Sequence, residues 1–267
     1  MNAPLFNFRL RDWDKVEPWT DGNGTKQLWW FGFTDGWYWL NCGGDELFRA
    51  TPEILARWKQ VSDQCYCDYQ VARLWEDILQ ILPRVLDPVP EDLSPILADE
   101  VELLRWSQQR MAWYKGDKDL DAIEDEAMDW MGGRLLDSLY LVQGPQIILW
   151  RTGNVISIRW DNSEKLIDGI PVWTAKKGLY EISVDDFLLE VESFHKRFTG
   201  AMKDRVNAIA TNWSRPNVEV DINRLVEEQS ERERALSEAL AVQHNTNWEI
   251  VRKGKRLLNE LKVISHA

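Results

Sequence analysis

The spacing that most invites a chemical reading is Asp117, Asp119 and Asp121 in "DKDLDAIEDEAMD", residues 117–129. Alternate carboxylates open an EF-hand calcium loop, which also needs glycine at its sixth position and glutamate at its twelfth. Those positions hold Ala122 and Met128, so the calcium reading fails. The stretch has seven acids and one lysine, and Ile123, Ala127, Trp130 and Met131 fall on one helical face. The acids then form either the solvated side of that helix or a docking edge for a basic partner. Cys65-Tyr66-Cys67 is not a CxxC pair, and His195, His244 and His266 are all distant from it in sequence. A structural zinc would need four ligands gathered from separate loops. Arg73 with Glu76 or Asp77 reads as a helix-surface ion pair. Adjacent carboxylates on a helix point about 100° apart and seldom flank a substrate. His195, beside Phe194 and near Phe198, reads as a packing residue with one satisfied nitrogen rather than a base. No GxSxG elbow, phosphate-cradling glycine loop, HExxH or dinucleotide fingerprint is present. Nothing positive supports an enzyme, and no cofactor or metal is expected.

The charge balance narrows the partners. With 32 basic and 44 acidic residues the chain carries a formal charge of −12. Phosphate neutralisation needs the opposite balance, so nucleic acid is not an expected partner, whereas a basic protein is. Hydrophobic residues at 44% and charged residues at 28% are ordinary for a folded protein. No apolar run approaches a membrane span, and "MNAPLFNFRLRDWDKVEP" lacks the apolar core of an export signal. Three cysteines do not make a disulfide framework in so long a chain. The cytoplasm is the expected compartment.

The other conspicuous stretch is "LWWFGFTDGWYWL", Leu28–Leu40, with seven aromatics. Asp35-Gly36 between apolar runs is the preferred chemistry of a two-residue type I′ hairpin turn. That register pairs Thr34 with Trp37, Phe33 with Tyr38 and Gly32 with Trp39. Alternation then puts Trp29, Phe31, Phe33, Tyr38, Leu40 and Cys42 on a core face. The opposite face holds Trp30, Trp37 and Trp39 with Thr34, Asn41 and Gly32. This second face is either a partly wet, protein-binding patch or is covered by a layer of helices.

These residues need elements to hold them. Phe6, Phe8 and Leu10 alternate as in a half-buried strand, which joins an antiparallel meander over residues 26–50 broken at Gly43-Gly44-Asp45. Thr51 and Pro52 are an N-cap and first residue of a short helix. Asp68 is a candidate cap for "YQVARLWEDILQILPRVL", whose apolar stripe is Val71, Leu74, Trp75, Ile78 and Leu82. Pro83, Pro88, Pro90 and Pro95 mark a bend and linker, before a helix through "ADEVELLRWSQQRMAWY". Two apolar runs flank Thr152-Gly153-Asn154 as a hairpin, and another strand is expected at Tyr180–Val184. Ser183 with Asp186 resembles a capping box opening a long helix striped by Phe187, Val191, Phe194, Phe198, Met202 and Ile209. Ile222, Leu225, Val226, Leu236 and Leu240 suggest one more amphipathic helix. Thr246 with Glu249 matches a capping box for the last. The expected class is α+β, with antiparallel strands packed against several amphipathic helices. Residues 1–216 form the core domain (meander 4–50, helices 51–131, hairpin 139–184, long helix 185–210), and residues 217–267 a C-terminal helical hairpin packed on it.

At "WFGFTDGWYWLNCGGDELFR", "YQVARLWEDILQILPRVLDPVPEDL" and "GPQIILWRTGNVISIRWD" the chain resembles a bacterial family of uncharacterised proteins. The resemblance runs from "FNFRLRDWDKVEPW" to "TNWEIVRKGKRLL", with "TDGWYWL" its most specific part. It implies no activity, cofactor or catalytic set. By analogy, acidic α+β proteins without catalytic motifs are similar to immunity proteins that neutralise toxins.

The expectation is therefore a non-enzymatic cytoplasmic binding protein, in its most specific form an immunity protein occluding a basic toxin domain. Its candidate contacts are Trp30, Trp37 and Trp39 together with Asp117, Asp119, Asp121, Glu124 and Asp125. The rivals are a hydrolase that reverses a toxin's modification through a dispersed site, and an adaptor using the helical hairpin near residues 217–264.

Overall fold

The computed structural model describes residues 3–59, 64–99, 127, 129–136 and 138–264, with side chains as far as residue 256. The helix expected through "VELLRWSQQRMAWY" and the candidates Asp117, Asp119, Asp121, Glu124 and Asp125 lie outside the described residues.

The architecture is α+β, as expected. In chain order the strands are β1 (Phe6–Leu10), β2 (Trp19–Thr20), β3 (Lys26–Gln27), β4 (Asp35–Cys42), β5 (Asp45–Leu47) and β6 (Cys67–Gln70). They continue as β7 (Leu135–Leu136), β8 (Ile147–Thr152), β9 (Val155–Asp161), β10 (Leu166–Ile167), β11 (Ile170–Pro171) and β12 (Lys177–Ser183). The helices are α1 (Pro52–Trp58), α2 (Val71–Leu86), α3 (Ser94–Ala98), α4 (Val184–Asn212), α5 (Ile222–Arg232), α6 (Ala235–Ala241) and α7 (Trp248–Ile264). Short 3-10 turns occupy Gly32–Thr34 and Gly132–Arg134.

One sheet is centred on β4, which pairs antiparallel with β1 along one edge and with β6 and β5 in succession along the other. The expected hairpin at Asp35-Gly36 does not form. The chain enters β4 from the 3-10 turn, and Asp35 and Gly36 are its first two residues. Tyr38 faces Phe8 and Cys67, and Trp37 faces Arg9 and Asp68, in place of Phe33 and Thr34. Gly36 serves close strand approach rather than a turn, because a Cβ there would lie 2.3 Å from the Arg9 carbonyl oxygen. Gly36→Ala must push β1 away and is expected to destabilise the protein by about 1–3 kcal/mol. An unchanged urea midpoint would show that the two backbones are not so tightly apposed.

The second sheet has the order β12-β9-β8-β7. Its β8–β9 hairpin turns at Gly153-Asn154, flanked by the pair Thr152 and Val155, as the sequence predicts. Alternation divides β8 between two cores. Ile147 and Leu149 enter the main core, whereas Ile148 and Trp150 join Trp130, Val251 and α3 residues in a second cluster.

Helices α2 and α4 fill the main core. The Ser183 hydroxyl accepts from the Asp186 amide at 3.1 Å, capping α4. The whole predicted α4 stripe is buried, as is that of α2. Thr51 caps α1, accepting from the Ile54 amide at 3.3 Å. Two boundary readings fail because tertiary partners take the residues. Asp68 lies in β6 and pairs with Arg11 at 2.7 Å, so it does not cap α2. Pro83 sits inside α2, which continues to Leu86. The single helix expected over Ile222–Leu240 is two, α5 and α6, and Val226 and Leu240 are exposed. Among the described residues no helix is long and apolar enough to cross a membrane.

Candidate functional site

The tryptophans of the aromatic stretch are largely used internally. Trp30 is fully buried, near Trp75 of α2 and Phe198 of α4, and its indole N–H donates to Gln229 Oε1 at 2.9 Å. Helices thus cover it. Trp37 is buried beneath two guanidiniums, those of Arg9 and Arg11, at 4.5 and 4.4 Å from the ring. Trp39 is half-buried and stacks on Tyr66 at 4.0 Å. Trp29, placed on the core face by alternation, is instead 41% exposed and stacks on Trp19 at 4.5 Å. The strand period that assigned it does not apply where the chain is not a strand. Trp30, Trp37 and Trp39 therefore form no open aromatic patch.

The polar residues gather elsewhere. Arg73, Asp77, Gln80 and Arg84 recur along one side of α2 at helical spacing and line a cleft of about 610 Å³. Asp129, Gly133 and Leu135 form part of its other wall. Arg73 Nε lies 3.2 Å from Asp77 Oδ1, the ion pair that spacing suggests, but Asp77 is 2% exposed, so this is a buried pair rather than a surface one. Behind it the Tyr140 hydroxyl donates to Asp77 at 3.3 Å and lies 2.9 Å from the Tyr38 hydroxyl. Burial raises both tyrosines, and pushes the neighbouring Cys67 thiol up to about 12, so Cys67 is no nucleophile near neutrality. This chain of groups ties β4, α2 and the segment around Tyr140 together.

At the far end of α2 stands a second buried charge, Arg134. It donates to the Trp130 carbonyl at 2.5 Å and to Asp87 Oδ2 at 3.3 Å. Asp87 Oδ2 also accepts from the Thr246 amide and hydroxyl, at 3.0 and 2.5 Å. Thr246 is thereby taken from the capping box predicted for it, and Asn247 Oδ1 accepts instead from Ile250 at the start of α7. Burial, and to a lesser degree the charge of Arg84, hold Arg134 down at about 10 despite Asp87.

A loop from Ser138 to Pro145 borders this region. The Ser138 hydroxyl donates to the Pro145 carbonyl at 2.5 Å, and Trp173 Nε1 donates to the Gln143 carbonyl at 2.7 Å. A Cβ on Gly144 would sit 2.0 Å from the Ser138 carbonyl oxygen, so the loop closes only on glycine. Tyr140 points inward to Asp77, while Leu139 and Val142 are 94% and 73% exposed.

His195 stacks on Trp75, and both of its ring nitrogens are bonded where one was expected. Trp75 Nε1 donates to Nδ1 at 3.2 Å, and Nε2 lies 3.3 Å from the Glu233 carbonyl. An indole nitrogen can only donate, so Nδ1 is unprotonated and Nε2 carries the hydrogen. Burial lowers the His195 pKa from its ordinary 6.5, against an upward pull from Glu233. The unfolded chain therefore takes up this proton at a higher pH than the folded one, and stability falls as pH drops from about 6.5 through the folded pKa. Urea midpoints between pH 7.5 and pH 5 should show this decline, and His195→Asn should flatten it. An equally steep profile in the variant would assign the loss to other groups.

Sequence reasoning found the Arg73–Asp77 pair but misplaced it at the surface, and missed Arg84, Arg134, Asp87 and the Leu139–Val142 loop. The visible signal was the polar i, i+4, i+7, i+11 series of α2. Among the described residues no group of three or more histidines, cysteines or acids is arranged to hold a metal. No curated protein matches the chain, and no solved structure does. A family model does match, over residues 5–254, and by that match the chain belongs to a family of unknown function, DUF5984.

Proposed function

We propose that this is a non-enzymatic binding protein that engages another protein, in its most specific form a cytoplasmic immunity protein that neutralises a basic toxin domain by direct contact. The observation that carries the reading is the Ser138–Pro145 loop. It is held by its own hydrogen bonds and by Tyr140 and Trp173, yet it presents Leu139 and Val142 to solvent. Ordered loops that display apolar side chains are favourable contact sites, because little conformational freedom remains to be lost on binding. The net charge of −12 supports a basic partner, whose approach it would accelerate.

A second reading, a hydrolase reversing a toxin's modification, draws on the cleft, where two carboxylates and two guanidiniums lie together. It is the weaker one, since Asp77 is engaged by Arg73 and Tyr140.

The test is binding to the product of the neighbouring gene, measured at low and high salt with wild-type protein and with Leu139→Asp and Val142→Asp. Each substitution should weaken binding by about tenfold, roughly the value of one buried apolar side chain, and leave the melting temperature unchanged. Full affinity in both variants would remove the loop from the interface. Failure to bind the neighbouring product would count against the toxin-neutralising form.

A further inference from the structure

We infer that the cleft beside α2 is a binding site for a carboxylate or phosphate group, with Arg84 as its anchor. The inference does not depend on the protein partner proposed above. From Arg73 to Arg84 the cleft follows eleven residues of helix, about 16 Å. Its two ends differ in charge balance. At the near end Arg73 and Asp77 neutralise each other across 3.2 Å, and Asp77 also accepts from Tyr140. Beyond the far end, behind the cleft lining, buried Arg134 has its own carboxylate, Asp87. Arg84 stands between them with no ion pair among the described residues, in a chain that has more acids than bases.

The position of Arg84 is built rather than incidental. Its side chain lies on the bare backbone of Gly133, where a Cβ would come within 2.0 Å of Cδ, 2.6 Å of Nε and 2.7 Å of Nη1. Any other residue at 133 would displace the guanidinium. A half-buried guanidinium held by packing presents its fork with less entropy to lose, and that fork matches carboxylate and phosphate oxygens in pairs. Gln80, one turn earlier on the same wall, adds a neutral amide donor. The charge of Arg84 is felt by buried Arg134, whose titration it lowers, so the guanidinium of Arg84 lies close enough to that pair to act on it. The volume, about 610 Å³, falls within the range of small-ligand clefts.

The experiment uses the full chain at low ionic strength. Melting temperature is followed against sodium phosphate and sodium acetate, with sodium chloride at equal ionic strength as control, in wild-type and Arg84→Gln protein. A saturable rise with phosphate, acetate or both, absent with chloride, is expected, with apparent affinity about tenfold weaker in Arg84→Gln. Response to one anion alone identifies the ligand class. No saturable response to either, or an equal response in the variant, overturns the site. Amide chemical shifts of Gly132 and Gly133 in the wild-type protein give a second readout should Arg84→Gln fold poorly. They move with the effective anion if the site is correct and stay fixed if it is not.

Discussion

Asp87→Asn is expected to destabilise the protein by about 3–5 kcal/mol, the typical cost of leaving one member of a buried ion pair without its counter-charge. Arg134 has no exposed surface, and its guanidinium lies beside the rings of Trp130 and Trp248, 5.9 and 5.3 Å from their centroids. Asp87 supplies the compensating charge, and the same carboxylate oxygen accepts twice from Thr246. One side chain thus joins the end of α2, the Gly132–Arg134 turn and the approach to α7. Asparagine preserves the shape while removing the charge, so the loss reads electrostatics rather than packing. Pairing it with Arg134→Met should recover much of the loss, because no uncompensated buried charge then remains. Urea unfolding of the three proteins is the measurement. An Asp87→Asn midpoint equal to wild type would mean that Arg134 is balanced by some other group.

Trp30→Ala should cost a similar amount, about 3–5 kcal/mol, as a large side chain is deleted from a fully packed site. The indole touches the ring systems of both central helices, and Arg232 lies 4.8 Å above it. Trp30→Phe separates volume from hydrogen bonding. It keeps most of the filling but leaves the Oε1 of buried Gln229, whose Nε2 donates to the Thr199 carbonyl and Glu233 Oε1, without a donor, at a cost of about 1–3 kcal/mol. These values bear on function as well as stability. If the Leu139–Val142 loop is the contact surface, any loss of partner binding by Trp30 variants should track loss of folded protein and vanish when corrected for it. A folded Trp30→Phe protein with abolished binding would move the interface to the aromatic stretch.

The contrast between Trp30 and the hairpin Ile147–Asp161 marks how far the sequence reaches. The hairpin, the caps at Thr51 and Ser183 and the stripes of α2 and α4 are encoded within a few residues, by alternation, helical spacing and side chains that bond their own backbone. They appear in the structure as predicted. The same local grammar misread Asp35-Gly36. Its glycine is needed by a strand 27 residues earlier, where Arg9 passes too close for a Cβ. Trp30 depends on Gln229, 199 residues away, and Thr246 on Asp87, 159 residues away. The candidate site follows this rule. The i, i+4 pairing of Arg73 and Asp77 was legible, but its burial was not, since Tyr140 and Tyr38 come from other parts of the chain. Arg84 shared the helical spacing of Arg73, Asp77 and Gln80, but nothing set it apart from them until Gly133 was seen beneath it. The sequence by itself determined the class of fold, the long helices α2 and α4, the hairpin Ile147–Asp161 and a net charge of −12. Only the tertiary structure decided which polar groups are buried, which are paired and which face a cleft, because desolvation and pairing depend on groups brought together across the whole chain, whereas propensity acts over a turn or two.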